Sequence, residues 1–349
     1  MIRIIEPRFS EEEKLAIIEA LENHHITRGE WTHRFEREFA KYLGVNHLFT
    51  LCSGTMALFI ALKAIGVEGE RVIVPAMSFM ATIDAALLAD AIPVVVDVDD
   101  FYTMDVSQLE DAVKKFNPKV VIPVHLYGQT ADMENIMYLA DKYGFYVLED
   151  AAQAHGAEFK GKKAGVLGNI SAFSFYASKN VPMGEGGAIA TDDEKLAKEV
   201  KRWIDFGDHP AFNVRITEFQ AAVGCIQLKY LDLRNKRRRD IARRYSESFN
   251  SCLIPPAERD GAYHVYHLYT MRHKERDRIV EHLKKSGIDA RVYYTYLLSE
   301  IRDVQHLPLH RAQSFKEEVF SIPVHPHLTD EEVSYVMDGV LSAVYAEKL

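Results

Sequence analysis

The chain has 349 residues, 48% of them hydrophobic and 27% charged, with a net charge of -9 at pH 7. That length accommodates one large domain and a smaller one with ample core. The acidic balance argues against a nucleic-acid-binding surface, which is normally basic. Three widely spaced cysteines, Cys52, Cys225 and Cys252, form no C-x-x-C pair. They suit a reducing compartment, without a disulfide framework or zinc site. No apolar run approaches the roughly 20 residues of a membrane span. The opening MIRIIEPRFSEEEKL lacks the apolar core of a signal peptide. The expectation is a cytoplasmic protein with no membrane or metal partner.

In chain order, Ser10 and Glu13 form a capping-box pattern that opens a helix to about Asn23. A loop around Gly29 precedes an amphipathic helix, Thr32 to Leu43, stopped by Gly44. Strand-length apolar stretches then alternate with helical ones. The expected strands are His47–Leu51, Arg71–Val74, Pro93–Asp97, Lys119–Val124, Phe145–Leu148, Ala172–Tyr176 and Ala188–Ala190. Between them the pattern predicts helices over Thr55–Ile65, Ala81–Ala89, Val106–Phe116 and Met133–Tyr143. Such alternation implies right-handed crossovers and a mostly parallel seven-stranded sheet covered on both faces. From Glu218 the pattern predicts one long charged helix centred on RNKRRRDIARRY, whose apolar spacing reads as a solvated helix face. Beyond Pro255-Pro256, strand-like HLYTMRH, a helix from Arg276 to Ser286, strand-like ARVYY and a last helix after Thr329 suggest a smaller α/β domain. The expected division is 1–235 for the large domain and 236–349 for the small one.

Polar residues cluster where the predicted strands end, and in an open parallel sheet the ligand crevice lies beyond those ends. The SAFSFYASKNVPMGEGGAIAT stretch places Lys179 just past a strand and before a glycine-rich turn. Its plain reading is a solvated surface charge; the sharper one is an amine that forms a Schiff base with a cofactor aldehyde. Ser53, Gly54 and Thr55 end a strand and begin a helix, so that helix start and its hydroxyls could bind a phosphate, or simply cap the helix. Asp150 follows the apolar run FYVLE. There it could be a turn residue, or the carboxylate that keeps a pyridine nitrogen protonated. Phe79 could stack on a ring or pack in the core. Ser174, on the strand before Lys179, could reach the phosphate. The set contains an amine, a carboxylate, a phosphate cup and an aromatic platform at one rim.

At these residues the chain resembles the DegT/DnrJ/EryC1/StrS sugar aminotransferases. The matching stretches are TLCSGTMAL, PVHLYGQTADM, EDAAQAHGAEFKGKKAG, FSFYASKN with GEGG, FNVRITEFQAA and SIPVHPHLTDEEV. The resemblance implies the α/β fold type I of pyridoxal 5'-phosphate enzymes and a homodimer with shared active sites. It implies Lys179 as the Schiff-base lysine and Asp150 as the partner of the pyridine nitrogen. Phe79 would stack on the ring and Gln153 would lie near its hydroxyl. Thr55, the Met56 backbone and Ser174 would hold the phosphate, with Asn213 reaching it from the other subunit. Arg215 and Glu218 match positions near that interface. His155 could serve as a base, although a packed histidine is the plainer reading. Two departures stand out: YYTYLLSEIRD lacks the histidine common near the sugar, and Pro182 and Met183 replace small hydroxylated residues before GEGG.

The implied activity moves an amino group from glutamate, or glutamine, to a nucleotide-linked keto-sugar in two half-reactions with ping-pong kinetics. A dehydratase of the same family would carry histidine in place of Lys179. A non-catalytic regulatory protein would have little reason to retain the lysine, the aspartate and the phosphate cup together.

Overall fold

The computed structural model describes residues 1–346. Helices α1 (Glu11–Glu22) and α2 (Glu30–Leu43) lead into β1 (His47–Leu51). The α/β alternation follows: α3 (Gly54–Ile65), β2 (Arg71–Pro75), α4 (Ala81–Leu88), β3 (Ile92–Val96), α5 (Val106–Phe116), β4 (Val120–Val121), α6 (Met133–Tyr143) and β5 (Tyr146–Asp150). Two short strands, β6 (Glu158–Phe159) and β7 (Lys162–Lys163), precede β8 (Ile170–Ser174), β9 (Gly187–Thr191) and α7 (Glu194–Ile204).

These elements build an eight-stranded sheet, one strand more than expected, in the order β1-β9-β8-β5-β4-β2-β3-β12. The added edge strand, β12 (Gln305–His306), pairs parallel with β3 and comes from the C-terminal region. Strand β9 runs antiparallel to both β1 and β8; the other pairings are parallel. The strands have nearly continuous buried apolar faces because helices cover both sides. One layer centres on α3, whose Ala57 to Leu62 are all buried, and includes α4. Leu109 of α5 and Ile136 of α6 pack on the other side with Ile73 and Val121.

The observed β8 begins and ends two residues earlier than the expected Ala172–Tyr176 strand. Asp150 pairs with Ala172, and the ladder with β9 runs from Ser171 to Ser174. Phe175 and Tyr176 continue the aromatic alternation beyond it. The expected Lys119–Val124 strand narrows to Val120–Val121.

The single charged helix expected after Glu218 is two helices, α8 (Glu218–Lys229) and α9 (Leu231–Phe249), broken at Tyr230. Helix α8 is buried along Ala221–Leu228, so its charge is not its main feature. Residues Ile241, Tyr245 and Phe249 of α9 enter a separate core with β11 (Tyr269–Arg272), α10 (Arg276–Lys285), β13 (Val319–Ile322) and α13 (Asp330–Tyr345). The small strand β10 (Ala262–Tyr263) pairs with β6. Between α10 and α13 lie α11 (Leu298–Ile301) and α12 (His310–Glu318). The expected ARVYY strand is absent: Arg291 makes only an isolated bridge to Ser321.

Candidate active site

The ends of β2, β5 and β8 and the start of α3 enclose a cavity of about 670 Å³. Ser53, Gly54, Thr55, Phe79, Asp150, Gln153, Ser174 and Lys179 all line it. Lys179 closes a tight turn after β8, its backbone N–H donating to the Tyr176 carbonyl at 2.8 Å. Burial lowers its amine pKa to about 8, opposed by the charge of Asp150.

Asp150 occupies the end of β5 and is buried. The Thr82 hydroxyl donates to its Oδ2 at 2.8 Å, and the Ala152 N–H to its Oδ1 at 3.2 Å. Ser78 and Thr82 share a further 2.7 Å hydrogen bond. Burial raises the Asp150 pKa; these two donors and the Lys179 charge oppose the shift. The carboxylate therefore retains acceptor capacity toward the cavity.

At the opposite end, Ser53 caps α3 by accepting from the Met56 N–H at 3.2 Å. That engages the amide expected to face a phosphate, and Met56 itself does not line the cavity. Glycine is required here by close approach: a Cβ on Gly54 would lie 2.7 Å from the Ser174 Cβ. One on Gly187 would lie 2.3 Å from the Ser53 carbonyl oxygen. The bare backbone lets the β8–β9 hairpin press against the helix start, and Ser53, Thr55 and Ser174 line the cavity there.

Phe79 is 49% exposed, so it is a cavity wall and not core, 6.2 Å from the Tyr294 ring. Gln153 is fixed at both ends: the Tyr127 N–H donates to it at 2.7 Å, and it donates to the Tyr294 hydroxyl at 3.1 Å. Tyr127 also donates to the Tyr293 carbonyl. The departed YYTYLL segment thus supplies a wall of the cavity through Tyr293 and Tyr294.

Asn213 is exposed and does not line this chain's cavity. Arg215 stacks over Phe206 at 5.3 Å and lines a separate cleft. Glu218 accepts from the backbone N–H groups of Gly29, Trp31 and Thr32, a clamp that fixes the start of α2. Met183 is buried against Gly224, while Pro182 borders a second, smaller cavity. His155 lies between Phe173 and Phe175, its pKa pushed down to about 3 by burial and then by Lys179. Held neutral that firmly, it is a poor proton acceptor at neutral pH.

The sequence assigns no role to Thr82, Ser78, Tyr294, Arg291 or Glu185, which share this cavity. Ser78 and Thr82 carried a readable signal, two hydroxyls four residues apart across a helix start. Tyr294 belongs to the YYTYLLSEIRD stretch read as departing near the sugar, whereas Arg291, just upstream of it, carried no signal.

A three-layered α/β/α chain with an amine, a carboxylate and a helix start around one cavity defines a pyridoxal phosphate enzyme of fold type I. The chain belongs to the DegT/DnrJ/EryC1/StrS aminotransferase family, whose model matches residues 7–341. It is 37% identical over 317 residues to a UDP-N-acetyl-3-dehydro-alpha-D-glucosamine 3-aminotransferase of Acidithiobacillus ferrooxidans, covering 86% of this chain and 85% of that one. It is 36% identical over 342 residues to a pleiotropic regulatory protein of Geobacillus stearothermophilus, covering 92% and 91%. The structure of the putative sugar aminotransferase Spr1654 from Streptococcus pneumoniae, in its PLP form, superposes with a TM-score of 0.90 at 28% identity, covering 99% of each chain.

Pyridoxal phosphate is the cofactor of this family, and the cavity fits it. The space is ample for a substituted pyridine and its phosphate. The glycine-opened helix start suits an anion, and the underused Asp150 carboxylate suits a pyridinium.

Proposed function

We propose that this cavity transfers an amino group from glutamate, or glutamine, to a nucleotide-linked keto-sugar. The observation that carries the reading is the convergence of Lys179 and Asp150, from separate elements, on one cavity beside the start of α3. Bound pyridoxal phosphate supplies an aldehyde for amines and a ring that accepts electrons. Lys179 holds the cofactor through its amine. The same amine would move the proton of the donor's α-carbon, a task suited to an amine that burial lowers to about 8. Asp150 would pair with the cofactor's pyridine nitrogen and keep that nitrogen protonated. Thr82 orients that carboxylate, and Gln153, pinned by Tyr127 and Tyr294, orients the ring's hydroxyl edge. Ser53, Gly54, Thr55 and Ser174 would receive the phosphate, and Phe79 would cover one ring face.

The sugar class is supported by the name of the Acidithiobacillus relative, a UDP-sugar aminotransferase. The working unit is a homodimer in the cytoplasm, in which a second copy's Asn213 loop completes the phosphate site. Its exposure away from this chain's own cavity supports that placement. The name of the regulatory relative does not favour a non-catalytic reading here, since the amine, carboxylate and cup are all in place. The test screens UDP-, dTDP- and GDP-linked keto-sugars with glutamate and pyridoxal phosphate. Amination matched by 2-oxoglutarate release is expected. Cofactor capture without amination of any sugar, ketose or keto acid would overturn the proposal.

A further inference from the structure

Behind Lys179 lies a second cavity of about 30 Å³, bordered by Arg234, Arg238 and His325. Ser178, Lys179 and His267 line both this space and the larger one, so the two share a wall that includes Lys179. Arg238 is only 8% exposed, and no ion pair joins it to any carboxylate among the described residues. Its Nε has no hydrogen-bond partner, and its one bond, to the Tyr266 carbonyl, is long at 3.5 Å. His325 is 3% exposed with neither ring nitrogen bonded. Arg234 adds a second cation, itself occupied with Gln227 and 3.8 Å from Glu13. Glu6, the carboxylate of this lining, is bound to Arg8 at 2.9 Å.

A buried guanidinium without a counter-ion is unfavourable unless a ligand supplies one. The cavity holds only a few heavy atoms, enough for a carboxylate and far too little for a nucleotide. We infer that Arg238 and His325 form an anion subsite that takes a carboxylate of the amino-acid donor while its amine faces Lys179. This assignment rests on the aminotransferase reading for the identity of the ligand. The keto-sugar half of the reaction has no carboxylate to place there. The pocket would therefore select the donor and leave the sugar to the larger cavity.

The experiment titrates the full-length holoprotein with glutarate, a dicarboxylate that lacks the reactive amine, and with inorganic phosphate and UDP, by calorimetry. The same protein is assayed for glutamate KM and kcat separately. Arg238→Gln should weaken glutarate binding and raise the glutamate KM by about tenfold or more, the scale of one charge-assisted hydrogen bond. UDP binding and the keto-sugar KM should stay within about twofold, since the change removes no group that contacts the sugar nucleotide. His325→Asn should weaken glutarate by about threefold, a neutral hydrogen bond's worth, and it carries the test if Arg238→Gln fails to fold. Unchanged glutarate affinity and glutamate KM in the variants would overturn the inference. So would an Arg238 dependence of phosphate or UDP binding alone. Arg238-dependent glutarate binding in a protein that forms no 2-oxoglutarate would keep the subsite and sink the aminotransferase reading instead.

Discussion

Glu149 and Asp150 are neighbours at the end of β5, both buried and both acidic, yet they point to opposite sides of the sheet and do different work. Glu149 is saturated. It accepts from the N–H groups of Gly165, Leu167 and Gly168 at 2.6 to 2.7 Å, and from His125 Nε2 at 2.7 Å. His125 Nδ1 accepts from the Ala131 N–H at 3.1 Å, which leaves Nε2 to carry the proton toward Glu149. The result is a closed polar knot that ties the loop after β7 to the sheet. Asp150 accepts from two groups, and its remaining capacity opens on the cavity. Burial alone therefore does not distinguish the two carboxylates; the number of unfilled acceptor positions does.

The largest effect should come from Lys179→Ala. Turnover should fall by about four orders of magnitude, and the visible absorption gained on adding pyridoxal phosphate should disappear. Asp150→Asn comes next. A neutral amide cannot hold the pyridinium, so kcat should fall by about a thousandfold while the thermal midpoint moves little. Glu149→Gln should give the reverse pattern. An amide places N–H groups against donors, so unfolding stability should drop by about 3 kcal/mol in thermal or chemical melts, and kcat of the folded protein should stay within about tenfold. Equal losses of activity in these two variants would break the comparison.

Gly54→Ala should weaken cofactor retention by about tenfold, because its methyl would displace Ser174 from the helix start. Dilution of the loaded protein, followed by absorbance, measures this. The smallest effect belongs to Thr82→Val. The Thr82 hydroxyl favours the ionised form of Asp150, so its removal raises that pKa further. The acid limb of the kcat–pH profile should therefore move to higher pH, with turnover at pH 8 lowered only severalfold. A shift to lower pH would contradict the assigned hydrogen bond.

Much of this arrangement is legible in the amino-acid sequence. Apolar runs bounded by glycines and caps predicted β1, α5 and α6 at their observed bounds, because their ends carry local signals such as Asp105, Asn117 and Gly144. Lys179, Asp150 and the α3 start were readable because each lies just beyond an apolar run. What was not legible depends on pairing between distant segments. ARVYY has strand-forming side chains, but only Arg291 finds a backbone partner, at Ser321. The edge strand β12 is two residues long and polar, so nothing in Gln305 and His306 announces it. The break at Tyr230 interrupts an unbroken run of helix-forming residues. Arg238 looked like one charge in a basic run, and only the fold buries it beside His325.

The central claim is that the Lys179 amine is the cofactor's anchor. Borohydride reduction of the protein loaded with pyridoxal phosphate, followed by peptide mass spectrometry, tests it directly. The account predicts a phosphopyridoxyl group on the peptide carrying Lys179 and on no other. A stable modification of a different lysine, with Lys179 unlabelled, would contradict it.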